Sequence, residues 1–152
     1  MVLVACVTKI KPRKKTIFML QPKKTKFRKY QKGNIPGTST NQTLLKFGLY
    51  GIKASTSGII TARTIEAVRR AISRKFKRIG KIWITIFPNI SITEKPLEVR
   101  MGKGKGKPSF WVCKIKAGQI LFEMDGVSPA LANQAAILAY HKLPIKTSFI
   151  SN

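Results

Sequence analysis

Residues 61–88 read TARTIEAVRRAISRKFKRIGKIWITIFP, and a change of period inside them decides the fold class. Ile65, Val68, Ile72, Phe76 and Ile79 recur at spacings of three and four, which puts them on one face of an α-helix. Thr61 suits the N-cap, because its hydroxyl can accept a bond from a first-turn amide, and Gly80 is the natural stop. From Lys81 to Phe87 the residues after the lysine are all β-branched or aromatic, and the run ends at Pro88. That composition predicts a strand covered on both sides, with Trp83 in the core.

Downstream, Ile92 to Arg100 reads as extended, and Pro96 argues for an edge or irregular position. Met101 to Ser109, MGKGKGKPS, alternates glycine with lysine and forms the cationic tip of a long hairpin. Phe110–Lys116 and Gln119–Met124 are two strands about a turn at Ala117-Gly118. Ser128-Pro129 opens a second helix that runs to about Lys142, with an apolar face of Leu131, Ala135, Leu138 and Ala139. Pro144 ends it, and Ile145 to Ile150 reads as the last strand.

Upstream, Phe47, Leu49 and Tyr50 to Ile52 suggest a strand broken by Gly48 and Gly51, and Ser57-Gly58 turns into a short extended piece at Ile59 and Ile60. Residues 34–43 are a Gly, Pro, Ser, Thr and Asn loop. The expected fold is therefore α+β, a mainly antiparallel sheet with two helices, a long basic hairpin loop and a basic N-terminal arm. It is one domain over 19–152, with the arm at 19–33 and the core at 34–152, after an extension at 1–18.

Charge narrows the function. Thirty Lys and Arg against five acidic residues give +25, a self-repulsion that opposes compaction unless a polyanion neutralises it. The cations are spread through the predicted elements and loops rather than gathered on one amphipathic helix or beside an apolar span, which favours nucleic acid over an anionic membrane. Hydrophobic residues at 43% are enough for a folded core. Cys6 and Cys113 lie in unlike settings and suggest no disulfide, and with His141 the only histidine the usual zinc ligands are missing. No metal or other cofactor is expected. Met1 to Val7 is apolar and precedes Lys9, Lys11, Arg13, Lys14 and Lys15, the reverse of a secretory signal, so this segment reads as an appended RNA-binding tail.

Three basic features carry the binding expectation. In the arm, Lys23, Lys24, Lys26, Arg28, Lys29 and Lys32 interleave with Phe27 and Tyr30; the cations suit phosphates, and the rings either stack on unpaired bases or pin the arm to the core. On the first helix Arg63, Arg69, Arg70, Arg74, Lys75, Lys77 and Arg78, with Lys81 beyond, face only Glu66 in opposition, whereas a merely solvated face mixes signs. In the loop, Gly102, Gly104 and Gly106 fit neither the dinucleotide nor the Walker spacing, and they join strands instead of preceding a helix. A flexible finger fits better: Lys103, Lys105 and Lys107 supply charge, and Arg100, beside Met101, can make planar contacts. Glu123 and Asp125 are formally a carboxylate pair, but in so basic a chain they are expected to meet Lys, Arg or a helix N-terminus, and His141 has no nucleophile beside it. The chain does not read as an enzyme.

The runs LQPKKTKFRKYQKG (20–33), TARTIEAVRRA (61–71), GKIWITIFP (80–88), ITEKPLEVRMGKGKGKPSFWV (92–112), GQILFEMDGV (118–127) and HKLPIKTSFI (141–150) resemble the ribosomal protein L-sixteen family in order and spacing. The resemblance implies a structural place on the large subunit, on rRNA between the central protuberance and the stalk base, near aminoacyl-site tRNA. It implies that the arm and basic helix hold rRNA, and that the loop Arg100–Lys107 reaches toward the peptidyl-transferase centre and the tRNA acceptor ends. Partners would be large-subunit rRNA, aminoacyl-site tRNA and neighbouring large-subunit proteins. In some bacterial members the arginine matching Arg100 is hydroxylated. Thr64 and Thr85 replace a usual glutamine and arginine, residues 34–46 diverge most, and 1–18 have no bacterial counterpart. GQILFEMDGVS is most like mitochondrial members, so the expected location is the mitochondrial ribosome, with plastid or bacterial cytoplasm as alternatives. A free RNA-chaperone or nucleoid protein is the rival reading, and a metal-dependent nucleic-acid enzyme a more distant one.

Overall fold

In the computed structural model, which describes residues 20–152, the chain forms β1 (Tyr50–Ala54), β2 (Gly58–Thr61), α1 (Ala62–Lys75), β3 (Lys81–Ile84), β4 (Ile90–Glu94), β5 (Lys107–Ile115), β6 (Ile120–Asp125), α2 (Pro129–Tyr140) and β7 (Thr147–Ser151). The extension at 1–18, with Cys6, lies outside the described residues. The α+β class with antiparallel pairing is as expected, but the strands divide into two sheets, β3-β6-β1-β7 and β2-β5-β4.

The division follows from two turns that leave one sheet for the other together. Gly118 N donates to Ala54 O at 2.7 Å and Ala54 N to Gln119 O at 2.8 Å, so the turn after β5 is clamped to the end of β1. β5 and β6 thus do not form the hairpin expected about Ala117-Gly118: β5 pairs with β2 and β4, β6 with β1 and β3. The true hairpin is β4–β5, from Ile90 opposite Val112 to Glu94 opposite Lys107, and the Gly-Lys loop is its tip.

α1 starts as expected. Thr61 Oγ1 accepts from Thr64 N at 3.2 Å, and the two threonine hydroxyl oxygens lie 2.9 Å apart. Ile65, Val68, Ile72 and Phe76 are buried. The helix ends before Gly80, because Lys77 N donates to Arg74 O and Arg78 N to Ser73 O, the paired bonds of a Schellman cap, with Lys77 at φ 49° and Arg78 at φ 69°. Ile79 therefore leaves the apolar face assigned to it and is 78% exposed. Gly80 is required for another reason: a Cβ there would lie 2.8 Å from Val127 Cγ1 and 2.9 Å from Asp125 O.

Two further expectations are corrected. β3 ends at Ile84 and forms one edge of its sheet, and none of its residues is fully buried, so the KIWITIF run is not covered on both sides; Trp83 is half-buried and Phe87 exposed. On α2, whose N1 proline follows an extended Ser128, the inward row is Ala132, Ala135, Ala136 and Ala139, while Leu131, Ile137, Leu138 and Tyr140 point outward. α2 packs against α1, and alanines let two helix backbones approach where leucines would hold them apart. The core between helices and sheets contains Ile52, Phe122 and Met124 from the four-stranded sheet and Ile60, Cys113 and Ile115 from the other. Burial pushes the Cys113 thiol above its ordinary pKa, the mark of an inert structural cysteine.

Candidate nucleic-acid interface

The arm lies along the β4–β5 hairpin. Leu20 packs on the core and Ser91 Oγ donates to Arg28 O, which ties the arm by apolar contact and backbone. Lys23, Lys24, Lys26, Arg28, Lys29 and Lys32 are all exposed. Phe27 does not pin the arm: its ring is 62% exposed, with Lys26 Nζ 5.5 Å from its centroid, whereas Tyr30 is half-buried.

The arm and the finger meet. Lys29 Nζ donates to Lys105 O at 2.8 Å, and Lys105 Nζ donates to Tyr30 O. Two basic segments far apart in sequence thereby form one cationic ridge. In the finger Arg100, Met101, Lys103 and Lys107 are exposed, and Gly102, Lys103 and Gly104 hold φ values of 96°, 51° and 84°. Three successive left-handed residues explain the glycines around Lys103, since most L residues avoid this region. Gly106 is constrained by contact instead, because a Cβ there would sit 2.4 Å from Glu94 O. Glu94 itself accepts from Ser109 Oγ at 2.9 Å.

α1 carries the second cationic surface. At 1.5 Å per residue its 14 residues span about 20 Å, with Arg63 at one end and Lys77, Arg78 and Lys81 at or beyond the other. Arg63 meets the start of the arm across a cleft of about 400 Å³ lined by Leu20, Gln21, Phe110 and Trp111. Glu66 takes Arg69 Nε and Nη2 and Arg70 Nε, each at 2.8 Å, so these two cations are partly neutralised and held in place. Arg63, Arg74, Lys77, Arg78 and Lys81 form no ion pair among the described residues.

The Arg69 guanidinium, helped by Arg70 and opposed by burial, holds the Glu66 carboxyl below its ordinary value of 4.5. A carboxyl whose pKa is lower in the folded than in the unfolded chain stabilises above the unfolded value, and that contribution disappears as pH falls through the folded one. Glu66→Gln should therefore cost stability above pH 4.5 and converge with the parent well below it. The difference should stay under about 1 kcal/mol because Arg70 is exposed and Arg69 partly so, which screens both pairs. Urea unfolding at several pH values reads it.

One feature of the surface was not foreseen. Glu123, 1% exposed, meets no Lys or Arg side chain and no helix N-terminus among the described residues. Its Oε2 accepts from the amides of Lys46, Phe47 and Gly48 at 3.1, 2.6 and 3.0 Å. This clasps the 44–48 loop onto the sheet face opposite the helices. Gly48 passes so close to β6 that a Cβ would lie 2.6 Å from Met124 O, and Leu45 covers Gly51, where a Cβ would lie 2.4 Å from Leu45 Cδ2. Phe47 then stacks on Trp83, with centroids 6.2 Å apart and planes at 23°. Gly48 and Gly51 were the only local trace of this, since the carboxylate that needs them lies on a distant strand. Among the described residues no group of three His, Cys, Asp or Glu could hold a metal, and no helix is long and apolar enough to cross a membrane.

Comparison with known sequences follows the same geography. The model of the family described as "Ribosomal protein L16p/L10e" matches residues 22–150, which takes in the arm, both sheets, both helices and the finger. "Large ribosomal subunit protein uL16m" of Prototheca wickerhamii is 61% identical, over 87% of this chain and 98% of its own length. "Large ribosomal subunit protein uL16c" of Cyanidium caldarium is 57% identical, over 88% and 96%. A bacterial "Large ribosomal subunit protein uL16", from Aeromonas hydrophila, is 56% identical, over 87% and 96%.

Proposed function

Since the chain belongs to the ribosomal protein L16p/L10e family and is a structural protein of the large ribosomal subunit, we propose that it holds rRNA with its arm and α1 and helps position aminoacyl-site tRNA with its finger. The observation that carries this reading is the reciprocal lysine contact between arm and finger, which makes one cationic ridge of Lys23–Lys32 and Arg100–Lys107. Such a ridge can neutralise phosphates on a folded RNA while its tip projects beyond the body of the protein. The roles divide by anchoring. The helix cations stand on an element packed against the core, and the arm is tied down at Leu20 and through Ser91; the finger stands on two strands with an exposed, glycine-rich end. The partners are large-subunit rRNA, aminoacyl-site tRNA and adjoining large-subunit proteins.

The proposed location is the mitochondrial ribosome, supported by similarity to the uL16m protein, with plastid and bacterial ribosomes as the alternatives that the other relatives represent.

Sedimentation of a lysate through sucrose at moderate and then high salt tests the reading. The chain should travel with large-subunit rRNA and resist salt that strips non-specific binders; recovery at the top of the gradient, or spread over all nucleic acid, would favour a free RNA chaperone. In the same gradients, Lys103→Ala, Lys105→Ala and Lys107→Ala together should leave incorporation largely intact, and the recovered subunits should bind aminoacyl-site tRNA poorly. Absence of the triple variant from subunits would count against a finger that acts on tRNA. Lys105→Ala alone separates loss of the arm contact from loss of the tip.

A further inference from the structure

Phe47 is a large aromatic ring that is 63% exposed yet is held firmly from behind. Its own amide and those of its two neighbours are fixed by Glu123, and its ring makes an offset stack with Trp83. An apolar ring left mostly in water gives up much of what burial would contribute to the fold, and the rigidity of its loop lowers the entropy cost of binding a flat partner. The charge around it identifies that partner. Lys46 is exposed beside it, and Lys81 lies two residues before Trp83 on the same face of β3, a few residues after Lys77 and Arg78 in the chain. Of the two carboxylates nearby, Glu123 is buried and engaged by three amides, and Asp125, opposite Lys81, is half-buried. Beside the ring opens a cleft of about 350 Å³, floored by Ile84 and Thr85 and rimmed by Gln42 and Leu44.

We propose that Phe47, backed by Trp83, is a stacking platform for one unpaired RNA base, whose flanking phosphates are met by Lys46 and Lys81. This rests on the RNA-binding reading and adds a site to it, on the sheet face away from the helices and distinct from the arm and finger. The platform selects single-stranded over duplex RNA, because a base must leave its own stack to reach the ring.

Trp83 and Trp111 are the only tryptophans, so in a Trp111→Phe background the indole of Trp83 reports on the platform alone. The full chain is titrated with single-stranded oligoadenylate and with a duplex of matched length, following both Trp83 emission and the anisotropy of labelled RNA. Oligoadenylate should perturb Trp83 emission. Phe47→Leu, which keeps an apolar side chain, should weaken that local titration about tenfold to a hundredfold, the usual cost of one lost stack. It should leave the salt dependence unchanged and lower the thermal midpoint by no more than a few degrees, the share of the lost Phe47–Trp83 stack, and Phe47→Tyr should restore both. A Trp83 signal insensitive to Phe47→Leu, or equal with the duplex, overturns the platform. So does RNA binding seen by anisotropy while Trp83 stays silent, an outcome that leaves the RNA reading standing. No binding of either RNA by anisotropy would remove that reading as well.

Discussion

Glu123→Ala is expected to lower the stability of the folded chain by about 3 to 4 kcal/mol, through three backbone amides and the space left by the side chain. The amides of Lys46, Phe47 and Gly48 all converge on one carboxylate oxygen, and the carboxylate is buried on a strand in the interior of its sheet. Each partly buried N–H left without an acceptor costs about 1 kcal/mol at the low end of the range, because water reaches part of the loop. Glu123→Gln keeps the shape and one acceptor oxygen but loses the charge that strengthens the bonds, so about half of that loss is expected. Asp125→Ala, on the same strand but half-buried and without an ion pair among the described residues, is the control and should move stability by less than about 0.5 kcal/mol. Urea-unfolding midpoints at constant m-value measure all three. A loss below 1 kcal/mol for Glu123→Ala would mean that the 44–48 loop is not clasped in solution. A domain of this kind holds only about 5 to 15 kcal/mol in total, so the expected loss is a large share of it.

Replacing Arg63, Arg74, Lys77 and Arg78 together by Gln should have the largest effect on RNA binding. None of the four is paired with a carboxylate among the described residues, and all four are exposed. Each cation that neutralises a phosphate adds about 0.7 to 0.9 to the slope of log affinity against log salt, so the variant should lose about three units of slope. Near 0.1 M salt that corresponds to about a thousandfold weaker binding. Arg69→Gln with Arg70→Gln should change the slope by clearly less per residue, because Glu66 already offsets part of their charge. Filter binding to large-subunit rRNA over a salt series reads both variants. An unchanged slope in the fourfold variant would show that α1 faces something other than phosphate.

The legible parts of the chain were those with a local cause. The spacing of Ile65, Val68, Ile72 and Phe76 specified a helix and its inward face, Thr61 its start, and Ser128-Pro129 the start of α2. Ile79 continued the pattern and misled, because the end of α1 was set by left-handed backbone at Lys77 and Arg78 instead of by the nearby glycine. For α2 the pattern named Leu131, Ala135, Leu138 and Ala139 as the inward face; the two alanines are buried, and the two leucines are exposed. PALANQAAILAY has no charged residue and apolar side chains all around, so either row could have packed, and the approach of α1 chose the alanines.

The charge of +25, its spread through arm, helix and finger, and the period of α1 belong to the sequence alone, because composition and short-range spacing do not depend on how the chain closes on itself. Only the tertiary structure decided that β5 and β6 part into different sheets, that Lys29 meets Lys105 across 76 positions, and that Glu123 clasps Phe47 across the same distance. Contacts at such separation leave no spacing rule in the chain; they exist because burial of the core brings those backbones together, and hydrogen-bond geometry then selects which side chains can serve.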